Sequence, residues 1–274
     1  MREDNIFIAG GAVTGESFFG RSDQLTELER DFCRGTAHRS LSVVGPNKIG
    51  KSSLFNRFIE RHLKKLPNTV IVELSMEAYA NVSNFLEELS QRLHQKISEK
   101  MSEGLISDDV LKTRLQTLID EWDKCRTIYH YSEPPTFKHL FENVLERLCE
   151  LSWQTFLIID EFDNAETLFN ACNGNFNYYG LVRDFGNRPS HGVTCILISR
   201  RRLYRIERLS DENKHNSTFH GAFDDYLLGC FNDADIEDFW GGLSNYEIHP
   251  GVPGLQEQLN YYAGAHPYLL SLWS

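Results

Sequence analysis

Residues 41–53 read LSVVGPNKIGKSS, an order that predicts a strand, then a loop, then a helix. Leu41 to Val44 form a short run typical of a buried strand, and Gly45 to Ser52 fit the pattern G-x-x-x-x-G-K-[ST]. Glycines let such a loop curl until successive N–H groups point at an anion, and the following helix adds its positive dipole end. The predicted phosphate-binding residues are Gly45, Pro46, Asn47, Lys48, Ile49, Gly50, Lys51, Ser52 and Ser53.

Two side chains of this loop carry chemistry of their own. The ammonium group of Lys51 supplies positive charge for the β and γ phosphates of a nucleotide, and the hydroxyl of Ser52 can ligate magnesium. We therefore predict a nucleoside triphosphate with Mg²⁺ as the ligand, Lys51 as a catalytic residue and Ser52 as a metal ligand.

The rest of the chain alternates short apolar runs with helical patterns, which indicates an α/β fold with a parallel sheet. Five runs predict strands, because they are short, rich in β-branched residues and bounded by glycine or acid. They are Leu41 to Gly45, Thr69 to Ser75, Thr155 to Asp160, Val193 to Ser199 and Asp225 to Cys230. The predicted helices are Asp23 to Cys33, Ser52 to Lys64, Val82 to Met101, Asp108 to Lys124, Thr136 to Leu151 and Tyr178 to Phe185.

Two regions depart from simple alternation. The segment of about 77–152 is longer than one crossover helix requires, and with a turn at 132–135 it predicts a helical insertion outside the sheet. After residue 231 only helical patterns follow, and the chain ends within one of them. We therefore expect an N-terminal segment at 1–22, an α/β core at 23–231 and a helical lid at 232–274 that continues in a longer protein.

A second apolar run ends in acids where a phosphate site needs them. Phe156 to Ile159 lead directly into Asp160 and Glu161. A carboxylate at the C-terminal end of such a strand can hold magnesium directly or through water, and a second one can orient or deprotonate the attacking water. We predict Asp160 as a metal ligand and Glu161 as the catalytic base.

Three consecutive arginines follow the fourth predicted strand, at Arg200, Arg201 and Arg202. Ligands gather at the C-terminal edge of a parallel sheet, so an arginine there is well placed to touch a γ-phosphate. Since three adjacent side chains cannot all face one phosphate, we assign this role to Arg200 first.

The composition limits the classes of partner. Lys and Arg total 28 against 39 Asp and Glu, a formal charge of −11, which disfavours binding to nucleic acid through many phosphate contacts. The 6 cysteines form no C-x-x-C pair and indicate free thiols in a reducing compartment. No apolar run reaches the ~18 residues that a membrane helix needs. We expect a cytoplasmic protein with no membrane or nucleic-acid partner.

Taken together, these motifs resemble the STAND branch of the AAA+-like P-loop ATPases, the signal-transduction ATPases with numerous domains, and bacterial members in particular. Residues 10–11 and 14–21, with Phe19, Gly20 and Arg21, look like the segment of that family that lies near the adenine. Residues 41–53 look like its Walker A motif, 157–163 like its Walker B motif and 196–201 like its sensor strand. Residues 264–270 look like the Gly-His-Pro motif of its lid, whose proline, here Pro267, commonly packs on the base.

The resemblance implies a switch that binds ATP or ADP. In this family ADP holds the lid closed, ATP exchange and a trigger open it, and the open form makes a homo-oligomer that activates a protein effector. Two positions depart from the family pattern. Asn47 and Lys48 replace a frequent double arginine, and Ala265 stands where a second glycine is usual.

Two other classes fit the same motifs. A DNA-handling AAA+ ATPase, similar to replication initiators or loaders, has a motor core of the same appearance, although the acidic composition counts against it. A non-hydrolysing interaction module would keep the nucleotide as a structural element and use 77–152 as its docking surface.

Overall fold

The structure is a computed structural model of the 274-residue chain. It describes residues 12–13, 15–33, 40–66, 68–102, 109–128, 134–170, 177–188, 192–210, 219–244 and 254–273. Of the residues singled out above, Gly10, Gly11 and Thr14, together with the first half of the predicted turn at 132–135, lie outside these ranges.

A five-stranded parallel sheet confirms the predicted fold class. Its strands are β1 (Leu41–Val44), β2 (Thr69–Ser75), β3 (Gln154–Asp160), β4 (Val193–Ser199) and β5 (Asp224–Leu227). The spatial order is β2-β3-β4-β1-β5, so β4 lies between the strand that precedes the loop and the strand that ends in acids. Ser75 pairs with Asp160 and Ile159 with Leu197, which brings the C-terminal ends of β2, β3 and β4 to one edge.

The last strand is shorter than the predicted 225–230, because it ends at Leu227. The carbonyl oxygens of Gly229 and Cys230 accept hydrogen bonds from the Arg21 guanidinium. This part of the predicted strand is therefore bonded to a side chain of the N-terminal segment. Three residues of β5 are exposed, as suits a strand at the edge of a sheet.

The helices follow the predicted pattern with small shifts at their ends. They are α1 (Ser22–Cys33), α2 (Lys51–Arg61), α3 (Val82–Ser102), α4 (Asp109–Ile128), α5 (Pro134–Glu150), α6 (Ala165–Asn170), α7 (Tyr178–Asn187), α8 (Leu203–Ser210), α9 (Asp233–Ser244), α10 (Leu255–Ala263) and α11 (Pro267–Trp273). Pro134 opens α5 instead of ending a turn, since the fixed φ of proline suits the first position of a helix. Helices α6 and α8 were not predicted. Within the described ranges, no helix is both long enough and apolar enough to cross a membrane.

The chain divides into two compact units. Unit 1 comprises residues 1–35, 44–63 and 227–274, and unit 2 comprises 36–43 and 64–226. The phosphate loop, helix α2 and the three lid helices α9 to α11 therefore belong to unit 1, whereas the acids of β3 and the arginines after β4 belong to unit 2.

In unit 2, the helices of the long segment 82–150 share the main apolar core. Helix α3 packs on β2 and α5 packs on β3. Fully buried leucine and phenylalanine side chains of all three helices join the buried side chains of β3 in one cluster. Among them are Leu89, Leu93, Leu115, Phe141, Leu145, Leu148, Leu157 and Ile159. The three predicted helices are thus present, and they cover the sheet.

In unit 1, the lid helices have an apolar cluster of their own. Its buried members are Phe239, Trp240, Leu243, Leu259, Ala263 and Leu270, and Phe19 and Phe231 pack against it. The indole Nε1 of Trp240 donates to Oδ1 of Asn260 at 3.0 Å, which satisfies the polar atom of a buried ring. This cluster packs the three lid helices α9, α10 and α11 together.

Candidate functional site

The phosphate loop lies between β1 and α2, as the sequence predicts. Gly50, the residue before α2, has φ 92 and ψ 22, and Lys48 has φ 61. Left-handed residues in a short turn bring successive N–H groups to one concave side, a geometry that binds anions. No acidic residue occurs between 45 and 53, so the backbone and side chains of the loop suit a phosphate group.

The start of the loop packs tightly on the segment after β5. A Cβ atom on Gly45 would lie 2.5 Å from the carbonyl oxygen of Leu228, and the N–H of Leu228 donates to the carbonyl of Val44 at 2.8 Å. Ile49 is buried, whereas Pro46 and Asn47 are exposed. Only glycine fits at position 45 without a shift of the backbone.

Three side chains around the start of α2 complete the loop. The Nζ atom of Lys51 donates to the carbonyl oxygens of Gly45 and Pro46, each at 2.9 Å, so its charge lies over the loop. Ser52 is in the first turn of α2, where its hydroxyl is suited to a metal-bound phosphate. The hydroxyl of Ser53 accepts a hydrogen bond from the N–H of Val13 at 2.9 Å.

Arg21 ties the loop to the segment after β5. Its residue exposure is only 3%, and its guanidinium donates to the carbonyl oxygens of Ile49 at 3.1 Å and Gly229 at 2.6 Å. The same guanidinium lies 4.9 Å from the centre of the Phe231 ring. A buried cation needs such partners, because its desolvation is costly. In the structure, Arg21 thus connects the loop to the segment after β5. Its contact with adenine stays a prediction.

Phe19 and Gly20 fix the same N-terminal segment to the lid. The Phe19 ring meets Phe239 edge to face, with centroids 5.8 Å apart. The N–H of Gly20 donates to Oδ2 of Asp238 at 2.6 Å. A Cβ atom on Gly242 would lie 2.1 Å from the Phe19 ring, so helix α9 presents a glycine where the ring packs. Binding of a base by Phe19 and Gly20 stays a prediction as well.

The turn before α11 joins the lid to the loop. Gly264 and Ala265 have φ 59 and φ 60, and Pro267 begins α11. The two residues on either side of Pro267 lie next to the loop. His266 lies beside the backbone of Asn47, and the Nζ atom of Lys48 lies 3.9 Å from the centre of the Tyr268 ring.

Burial lowers the pKa of His266 below its ordinary value of 6.5, and the nearby charge of Arg21 acts in the same direction. The backbone of Asn47 opposes the shift, because it favours the protonated ring.

In unit 2, the end of β3 carries the two predicted acids. Asp160 is the last residue of the strand, and its Oδ1 accepts the N–H of Glu161 at 2.7 Å. Glu161 has φ 51 and ψ 40, a left-handed conformation that costs free energy in a non-glycine residue and clusters at functional sites. The turn that follows, Phe162–Asn164, is anchored by the fully buried ring of Phe162.

The three arginines after β4 differ in their partners. Arg201 is committed to ion pairs with Asp163 at 2.9 Å and Glu166 at 3.0 Å, and the hydrogen bond to Asp163 holds its pKa above the ordinary value. Arg202 lies 3.8 Å from Asp225. The side chain of Arg200 is 46% exposed and approaches Asp163 only through Nε, at 3.5 Å. Of the two arginines that Asp163 contacts, Arg200 is thus held by fewer side-chain bonds, and its contact with a γ-phosphate stays a prediction.

The structure joins the predicted residues in two sets. One set, in unit 1, contains the loop, the Phe19–Arg21 segment and the turn at Pro267; the other, in unit 2, contains Asp160, Glu161 and Arg200. Residues that sequence reasoning did not single out are His266, Tyr268 and Asp163. Asp163 and His266 lie inside motifs that were recognised, so their position in those motifs was the available signal.

Comparisons with known proteins bear on the family and the fold of the chain. The sequence of residues 34–207 matches the AAA domain family, whereas no curated protein matches the chain. The fold is similar to that of the Walker-type ATPase of Pyrococcus abyssi, with a TM-score of 0.60 and 16% identity, over 97% of this chain and 69% of that one.

Two further solved structures share the fold. They are the Orc1 protein of Aeropyrum pernix in complex with DNA (TM-score 0.52, 12% identity, 93% of this chain and 59% of that chain) and Cdc6p from Pyrobaculum aerophilum (0.55, 12%, 99% and 63%). The chain spans less than two thirds of the length of these two proteins, and at such identities the likeness concerns the fold alone. The family match and the fold support a P-loop ATPase of AAA+ type. Since the match to residues 34–207 covers more than half of the chain, the chain belongs to the AAA domain family.

Proposed function

We propose that this chain is a STAND-class nucleotide switch, which binds ATP on the loop at 45–52, hydrolyses it slowly and controls oligomerisation and an effector. The observation that carries the proposal is the direct contact between loop and lid inside unit 1. The ammonium group of Lys48 lies over the Tyr268 ring, and His266 lies beside the backbone of Asn47. A nucleotide on this loop would lie beside residues of the lid, so its phosphates can act on the position of the lid.

The donor atoms suit a magnesium nucleotide. Lys51 and the loop N–H groups are donors for phosphate oxygens, while the Ser52 hydroxyl and the Asp160 carboxylate are hard oxygen ligands of the kind that Mg²⁺ prefers. Magnesium, when bound, supplies charge neutralisation between the β and γ phosphates. That Ser52 and Asp160 serve the same ion is supported by the order of their motifs along the chain.

In the proposed reaction, Glu161 orients a water molecule and accepts its proton. The water oxygen bonds to the γ-phosphorus, the bond from that phosphorus to the β–γ bridging oxygen breaks, and ADP and inorganic phosphate leave. Arg200 and Lys51 stabilise the negative charge of the transferred group. The proton passes from Glu161 to solvent, which restores the carboxylate.

The proposed switch works through the lid. With ADP, the contacts of Lys48 and His266 keep the lid on the loop, and with ATP they are lost, which exposes surface for a homo-oligomer and for a protein effector. A cytoplasmic location and a role in bacterial defence or signalling are part of the same proposal.

A second candidate, a DNA-handling ATPase of the initiator or loader type, has one observation in its favour. One of the structures with a similar fold is a complex with DNA, so the expectation that nucleic acid is not a partner gains no support from the comparisons. The formal charge of −11 argues against phosphate contacts over a large surface. Retention on duplex DNA at moderate salt would favour this candidate over the first.

Light scattering and phosphate release, measured on one preparation with ATP and with ADP, test the switch. We expect a larger assembly with ATP, no assembly with Lys51→Ala, and a persistent assembly with slow phosphate release for Glu161→Gln. Equal behaviour of the two variants would contradict the assigned roles. Tight binding of ATP without any phosphate release from the wild type would favour the non-hydrolysing interaction module.

A further inference from the structure

Asp163 is a buried carboxylate at the junction of two strand ends. It lies in the turn Phe162–Asn164 directly after β3, and its side chain is 1% exposed. A carboxylate in such a place is stable only when charged or N–H donors surround it. The hydrogen-bond donors around Asp163 therefore indicate which residues it holds in place.

Those partners are the two residues that follow β4. Oδ2 of Asp163 accepts the N–H of Arg200 at 2.6 Å, and Oδ1 accepts the N–H of Arg201 at 3.3 Å and its Nε at 2.9 Å. The carbonyl oxygen of Asp163 also accepts a bond from Nη2 of Arg201, at 3.2 Å. One residue thus holds both the backbone and the side chains of the turn after β4.

The arrangement treats the two arginines differently. Arg201 has a further ion pair with Glu166 at 3.0 Å, so both ends of its guanidinium are held. Arg200 is held at its N–H and, at 3.5 Å, at Nε. No second ion pair of Arg200 occurs within the part of the chain that the structure describes. Asp163 therefore holds the backbone N–H and Nε of Arg200, and the described residues make no ion pair with its terminal nitrogens.

Strands β3 and β4 are neighbours that run parallel, with Ile159 opposite Leu197. Asp163 therefore links the turn that follows the catalytic acids of β3 to the turn that begins with Arg200. Its carboxylate accepts two bonds from Arg200 and two from Arg201, so both residues are tied to the turn after β3.

We propose that Asp163 is a positioning residue that aims Arg200 at the γ-phosphate and so sets the preference for ATP over ADP. The inference rests on the proposed function, in which Arg200 contacts that phosphate. Asp163 itself touches neither nucleotide nor water in this account. We expect its loss to change the preference for ATP through Arg200, and the control at Glu166 reports the effect of freeing Arg201.

A double-mutant cycle tests this directly. Arg200→Ala, Asp163→Asn and the double variant are compared with the wild type in the full chain, by calorimetry with ADP and a non-hydrolysable ATP analogue, and by kcat for phosphate release. Glu166→Gln is the matched control, since it removes a partner of Arg201 and leaves Asp163 in place. Thermal unfolding reports the stability of each variant.

We expect Asp163→Asn to weaken binding of the ATP analogue and lower kcat by about tenfold or more, the loss typical of one charge-assisted hydrogen bond. Its affinity for ADP stays that of the wild type. The double variant is no worse than Arg200→Ala, because the two changes remove one effect. Glu166→Gln keeps both the preference and kcat.

Additive losses in the double variant would overturn the proposal, and so would an Asp163→Asn that lowers the melting temperature while keeping the ATP preference and kcat. Should Asp163→Asn not fold, Asp163→Ser carries the same expectation, and loss of the fold in both would assign Asp163 to folding instead. A wild type that hydrolyses no ATP, or an Arg200→Ala variant equal to it, would count against the proposed function. Normal behaviour of Asp163→Asn beside a defective Arg200→Ala would count against this inference alone.

Discussion

The ammonium group of Lys48 in the phosphate loop lies 3.9 Å from the centre of the Tyr268 ring in the lid. Lys48 occupies a left-handed turn of the loop, and Tyr268 is the second residue of α11. The contact therefore joins the phosphate loop to the lid, which is the part that would move in the proposed switch. His266, which precedes Pro267, also lies beside the loop backbone at Asn47.

Replacing the Tyr268 ring should loosen this contact. We expect Tyr268→Leu to lower the free energy of unfolding by about 0.5–1 kcal/mol relative to Tyr268→Phe, the magnitude of an exposed cation–π pair, and to speed the release of ADP. Tyr268→Phe is the matched control, because it keeps an aromatic face for Lys48. Urea denaturation measures the free energy of unfolding, and stopped-flow release of a fluorescent ADP measures the release rate. Equal release rates for the two variants would show that the Lys48–Tyr268 contact does not control the lid.

Adjacent glycines in α9 offer a matched pair. A Cβ atom on Gly242 would lie 2.1 Å from the Phe19 ring, whereas nothing lies within 4 Å of one on Gly241. Both changes to alanine gain helix propensity of up to about 1 kcal/mol. Gly242→Ala should nevertheless destabilise by about 1–3 kcal/mol through overpacking, and Gly241→Ala should stabilise. Thermal unfolding of the two variants compares them, and stabilisation of both would show that the Phe19 ring has room to move.

Ala265 has φ 60, a conformation that costs an alanine about 1–2 kcal/mol and a glycine almost nothing. We expect Ala265→Gly to raise the free energy of unfolding by about 0.5–1 kcal/mol, after the greater freedom of glycine in the unfolded chain is subtracted. The control is Ala263→Gly, which removes a buried methyl group from the end of α10 and should destabilise. Chemical denaturation measures both; a loss of stability in Ala265→Gly would argue against strain at this turn.

His266 should give the protein a component of pH-dependent stability. Its pKa is lowered in the folded chain from an ordinary 6.5, so below pH 6.5 the unfolded chain binds a proton that the folded chain does not. Stability therefore falls as the pH drops from about 6.5 to the lower folded pKa, and this component is absent in His266→Gln. Urea denaturation of both proteins between pH 7.5 and 5 isolates it, and parallel stability curves would rule it out.

The local motifs were predictable from the sequence because each one depends on residues that are close together in the chain. The loop at 45–52 needs glycines and a lysine at fixed spacing, and the acids at 160 and 161 directly follow an apolar run. Strands β2 and β4 were predicted to the residue, since both are short apolar runs with clear ends. Periodicity alone also located the lid helices.

Features that depend on distant partners were not predictable. β5 ends at Leu227, and the carbonyls of Gly229 and Cys230 beyond it accept bonds from the side chain of Arg21, more than two hundred positions away. Arg21 was selected as a contact of the base, and only the structure shows its guanidinium among backbone carbonyls. The ion pairs of Asp163 with Arg200 and Arg201 likewise join residues that lie more than thirty positions apart, so the local sequence did not predict them.

The central claim is that the loop at 45–52 binds ATP, and calorimetric titration of the purified chain with ATP and Mg²⁺ tests it most directly. The account predicts saturable binding of one nucleotide per chain by the wild type. Lys51→Ala should lower the affinity by about tenfold to a hundredfold, because one charge-assisted contact to phosphate is lost. Absence of binding by the wild type, or equal binding by the Lys51→Ala variant, would contradict it.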